Sequence, residues 1–96
     1  MDINTQIGEI IQKTRETLPE TIDRIDYQVG VDADGDDAVR VWVILRDEDI
    51  PTQWTFEERT KVRRAIFSAI NESGLPHWPF ISFRATSEEP PLPISP

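Results

Sequence analysis

Apolar side chains recur at a helical spacing along the first eighteen residues. Ile3, Ile7, Ile10, Ile11 and Leu18 fall on one face of a 3.6-residue period, which predicts an amphipathic helix over residues 3–18. Asn4 and Thr5 offer oxygens to its first free N–H groups. Pro19 ends it, because the residue before a proline avoids helical geometry. The period then changes to two. Ile25, Tyr27, Val29 and Val31 alternate with Asp26, Gln28 and Gly30, as a strand over 23–31 with one buried face would. A second strand over 38–46 carries Val39, Val41, Val43 and Leu45 on one face. The run Asp32-Ala33-Asp34-Gly35-Asp36-Asp37 joins the two with residue types that tolerate turn geometry, so it reads as a hairpin connection.

After a loop over 47–54, Thr55-Phe56-Glu57-Glu58 matches a capping box and opens a second helix. Val62, Ile66, Ala69 and Ile70 form its buried stripe, with Phe56 and Phe67 at the margins, and Gly74 suits the left-handed position that ends many helices. Residues 75–79 read as a stiff connector and Phe80 to Ala85 as a third strand, with Ile81 and Phe83 on one face and Phe80 and Ser82 on the other. From Ser87 onward, four prolines in ten residues allow neither ladder nor helix. The chain therefore divides into one domain over 1–86 and a proline-rich tail over 87–96. The order α-β-β-α-β predicts an α+β fold, with two helices covering one face of a three-stranded sheet. The place of the third strand, beside the first or the second, stays open.

The other face of the second strand carries Arg40, Trp42, Ile44 and Arg46. A solvated sheet face is normally polar, so Trp42 and Ile44 need a cover, from this chain or from another. With Phe80, and Trp54 or Trp78 nearby, they form a patch of aromatics rimmed by arginine. That composition suits a protein partner or a homodimer.

Composition narrows the picture further. At 96 residues the chain fits one domain with a thin margin of stability. It has no cysteine, which rules out disulfides and thiolate metal sites and agrees with a cytoplasmic location. Met1-Asp2-Ile3-Asn4 lacks the pattern of a secretory signal, and no apolar run approaches a membrane span. The net charge of −8 disfavours nucleic acid and anionic membranes and favours a cationic partner, which Asp34, Asp36 and Asp37 could steer.

Candidate chemistry is sparse. An EF-hand calcium loop counted from Asp32 needs glycine at its sixth position and glutamate at its twelfth, and these hold Asp37 and Val43. His77, the single histidine, sits between Pro76 and Trp78 with no nucleophile motif around any serine. The four glycines are isolated, so no phosphate cradle is formed. The expectation is a non-enzymatic protein with no cofactor and no metal. Arg59, Lys61, Arg63 and Arg64 put positive charge on the second helix, but Glu57, Glu58 and Glu72 share it. Pro90-Pro91-Leu92-Pro93 matches the short polyproline ligands that aromatic grooves read.

The stretch from Asp32 to Val43, followed by a charged helix and then Trp78-Pro79-Phe80-Ile81-Ser82-Phe83, resembles a family of small bacterial proteins of uncharacterised role. These share a D-x-D-G-D turn running into alternating valines and a terminal proline-aromatic-x-S-F strand. The resemblance covers residues 25–89 and carries over no catalytic residue. It implies an antitoxin-like or accessory role beside helical HEPN-type toxins. The element order is also similar to that of KH-like domains such as ribosome-binding factor A, which implies RNA or ribosome binding through Arg59, Arg63 and Arg64. The chain departs from that pattern in lacking a G-x-x-G loop.

Overall fold

A computed structural model describes residues 2–50 and 54–88. Helix α1 spans Ile3–Arg15, strand β1 Ile22–Val31 and strand β2 Asp37–Leu45. Helix α2 spans Phe56–Glu72 and strand β3 Trp78–Ala85. Short 3-10 turns occupy Asp47–Asp49 and Thr86–Glu88. The fold is α+β in the order α-β-β-α-β.

Strands β1 and β2 each differ by one residue from the sequence reading, and three further boundaries differ for a local reason. The α1 cap is Asp2, not Asn4 or Thr5: its carboxylate accepts from the Thr5 N–H at 2.7 Å and is thereby held below the ordinary value of 3.8. The helix stops at Arg15 because the N–H groups of Thr17 and Leu18 bond to carbonyls three residues back, which tightens the chain into turns before Pro19. Strand β3 starts at Trp78, two residues early. Pro79 is tolerated there because β3 lies at the sheet edge, where a missing ladder donor costs least.

The sheet order is β1-β2-β3, with β2 in the middle, antiparallel to β1 and parallel to β3. The parallel pairing requires a crossover, which α2 supplies. Odd-numbered positions of β2 meet the helices. Val39, Val41, Val43 and Leu45 pack with Ile7 and Ile11 of α1 and Val62, Ile66 and Ile70 of α2, all buried. Thr55 caps α2 by accepting from the Glu58 N–H at 3.2 Å, and Gly74 follows its end at φ +85°. Trp54 leaves the loop and joins this core, so it takes no part in an exposed patch. Phe56, expected at the helix margin, instead stands 74% exposed. Tyr27 lies across α1 at Gly8, and its hydroxyl donates to the Asn4 carbonyl at 3.2 Å.

Candidate interaction surface

Except for Ile22, which the irregularity before Arg24 turns into the core, and Trp78, which touches α2 at the sheet margin, even-numbered positions of the three strands face away from the helices. Register sets Asp26, Trp42 and Ser82 on one level, and Arg24, Ile44 and Arg84 on the next. Trp42 and Ile44 were expected to stand uncovered. They do not: Trp42 is 5% and Ile44 0% exposed. Arg24 and Arg84 flank Ile44 in the register. Trp42 and Ile44 are therefore withdrawn as open anchors within the patch.

Exposed aromatic surface lies instead at the start of β3. Trp78 is 54% and Phe80 45% exposed, on the same side of an edge strand. The Trp78 ring meets Phe67 of α2 edge-on at 5.1 Å, which props the indole at the sheet margin. Sequence reasoning gave Trp78 only a supporting place, because Pro79 made residues 75–79 look like a connector.

The Asp32 turn sits beside these aromatics, because Ala38 pairs with Trp78 and Arg40 with Phe80. Two depressions result. One, of about 600 Å³, is lined by Asp32, Asp34, Arg40, Trp42, Phe80 and Arg84. The other, of about 550 Å³, brings Asp36 and Asp37 against Trp78 and Phe80. The structure thus gathers six of the predicted residues: Asp34, Asp36, Asp37, Arg40, Trp42 and Phe80. Ile44 and Arg46 lie outside both depressions. Arg46 pairs with Asp49 at 3.2 Å and donates to the Glu20 carbonyl at 3.4 Å.

The turn is built by its first residue. Asp32 Oδ1 accepts from the N–H groups of Asp34 at 2.9 Å and Asp36 at 3.0 Å, while Gly35 at φ +85° takes a conformation that L side chains rarely adopt. Carboxylate oxygens of Asp32, Asp34 and Asp36 lie within 4.8 Å of one another. Exposed acidic groups of this kind commonly face water alone. His77 is buried, makes no hydrogen bond through Nδ1 among the described residues, and lines neither depression.

On α2, Arg63 lies 5.2 Å over the Phe83 ring and Lys61 pairs with Glu58 at 3.6 Å, so part of its positive charge is engaged. The helix runs unbroken from Phe56 to Glu72 and contains no glycine. Asp47 fastens the end of the domain: its carboxylate accepts from Thr86 Oγ1 at 3.1 Å and the Ser87 N–H at 3.2 Å, bonds that hold it below the ordinary 3.8. Ser87, expected to begin a free tail, is tied to the domain by this contact. The remainder of that tail, from Glu89, lies outside the described residues. No helix among the described residues is long and apolar enough to cross a membrane. Compared with protein-family models, curated proteins and solved structures, the chain matches none.

Proposed function

We propose that this chain is a non-enzymatic protein-binding module, an adaptor or antitoxin-like partner, that engages another protein through the Trp78–Phe80 end of its open sheet face. One observation carries the reading: two large aromatics stand about half exposed on one side of an edge strand. Aromatic anchors of that kind, once desolvated by a partner, dominate binding energy in protein interfaces. Asp34, Asp36 and Asp37 border them and, with the net charge of −8, would draw a basic partner and set its approach. Arg40, exposed at the same end, would fix orientation against an acceptor group.

The test begins with the protein that co-purifies with the chain from cells that naturally produce it. Its affinity is then measured by calorimetry against the wild type and against Trp78→Ala and Phe80→Ala. Loss of at least one anchor should weaken binding about 30-fold, the scale of a hot spot worth roughly 2 kcal/mol. Removing the turn charges together (Asp34→Asn, Asp36→Asn, Asp37→Asn) should slow association and flatten its salt dependence. A partner indifferent to both aromatic substitutions would refute the proposed surface.

A further inference from the structure

We propose that β1 is a dimerisation edge: it pairs antiparallel with β1 of a second copy of this chain, Gln28 opposite Gln28, and joins two three-stranded sheets into one. Parity along the strand shows which backbone groups are open. Asp32 donates its N–H to the Asp36 carbonyl at 2.9 Å, and the register turns the even-numbered residues from Gly30 back to Arg24 the same way, toward β2. Ile25, Tyr27, Val29 and Val31 therefore turn their N–H and C=O groups to the outer side, where no strand lies among the described residues. Nearer the start of β1 the edge is shut, because Arg15 of α1 donates to the carbonyls of Ile22 and Asp23 at 2.9 and 3.1 Å. The other edge strand, β3, carries Pro79, which has no N–H to offer.

The open ladder over residues 25–31 is complementary to itself. Its midpoint is Gln28, and a two-fold axis there sets Tyr27 against Val29 and Ile25 against Val31, apolar on apolar, with outward backbone groups facing outward backbone groups. Gln28 meets its own copy, and a side-chain amide both donates and accepts. Arg24 comes opposite Asp32, a pair of opposite charges. Other axes fit worse. One at Asp26 sets two carboxylates face to face, and one at Tyr27 sets Val31 against Asp23, whose carbonyl Arg15 already holds.

The helix layer leaves room for this axis. Helix α1 covers only the first part of β1: Arg15 lies at Ile22, and the Asn4 carbonyl, near the helix start, takes the Tyr27 hydroxyl at 3.2 Å. Val31 points to the helix side beyond that start and is left 61% exposed. About an axis at Gln28 the two α1 helices run away from each other, and the bare Val31 of each copy comes beside Ile25 of the other, a residue packed on the core. This edge lies across the sheet from Trp78 and Phe80, so the inference goes beyond the proposed partner surface and does not depend on it.

The test is sedimentation of the full chain over a wide concentration range, in which the mass should rise from that of one chain to that of two. Gln28 is exposed, so a charge there leaves the fold of the single chain intact. Gln28→Lys and Gln28→Glu each set like charges across the axis and should raise the dimer dissociation constant about fivefold. An equimolar mixture of the two variants should restore pairing at the wild-type concentration. In hydrogen exchange the Tyr27 and Val29 amides should be slower in concentrated than in dilute wild type. A wild type that keeps the mass of one chain at millimolar concentration would overturn the inference, as would Tyr27 and Val29 amides indifferent to concentration. So would a dimer that responds to Trp78→Ala but to neither charge at Gln28, which would place the contact at the other edge.

Discussion

Ile44 and Phe80 lie on the same face of the sheet, one sealed and the other open to water. Ile44 is wholly buried, so truncation to alanine removes three carbons from a packed site. At about 0.8 kcal/mol per buried methylene the transfer loss is roughly 2.4 kcal/mol, and the cavity left behind raises it to about 3 kcal/mol. A domain of this length has a total stability on the order of 5–14 kcal/mol, so the loss is a large fraction. Urea unfolding followed by far-ultraviolet circular dichroism reads it directly. With a slope near 1.2 kcal/mol per molar, the midpoint should fall by about 2.5 M at unchanged slope. Phe80→Ala, measured alongside, should cost under about 1 kcal/mol, because nearly half of that side chain already meets water. An Ile44→Ala midpoint within about 0.4 M of wild type would show that this residue is not sealed within the chain, and the division of the face into a buried and an open part would collapse.

Two further outcomes test the fold around this face. A Cβ at position 8 would sit 2.6 Å from the Tyr27 hydroxyl oxygen, but 3.4 Å from the nearest ring carbon. Gly8→Ala should therefore be neutral or destabilising in the wild type, yet stabilise a Tyr27→Phe background by about 1 kcal/mol, the helix preference of alanine over glycine; equal effects in both backgrounds would exclude the contact. Asp47 is held below the ordinary 3.8 by Ser87 and Thr86, so its contribution is present above that value and lost as pH falls through the lowered one. Asp47→Asn, which mimics the protonated carboxyl, should lower the urea midpoint at neutral pH and match wild type in strong acid, and a gap that persists in acid would refute the assignment.

The element order and the helix-facing core were legible because both depend on periodicity. Ile7, Ile11, Val62, Ile66 and Ile70 repeat at helical spacing, and Val39, Val41 and Val43 alternate, so their shared face follows from geometry alone. Alternation also showed that Trp42 and Ile44 share the opposite face. It could not show what lies above them, because cover comes from residues distant in sequence. Trp54 was unreadable for the same reason: one aromatic in a loop has no period, and its burial depends on how the loop crosses the core. The start of β3 was missed because proline is read as a strand breaker, a rule that edge position relaxes. The candidate surface was half legible. The arginines, the aspartates and Phe80 were identified, whereas the prominence of Trp78 required knowing that β3 pairs with β2 in parallel and begins beside the turn.

That parallel pairing has a consequence for the growing chain. The β1–β2 hairpin closes through a short turn and can form early in synthesis, but the far side of β2 stays without its ladder until all of α2 and β3 has left the ribosome. During that interval a valine-rich strand edge is open to pairing with other nascent chains, the hazard that sheet proteins must hold down. Arg40 on β2 and the aspartates of the turn place charge along that vulnerable edge, so the residues that border the proposed recognition surface would also discourage aggregation before it exists.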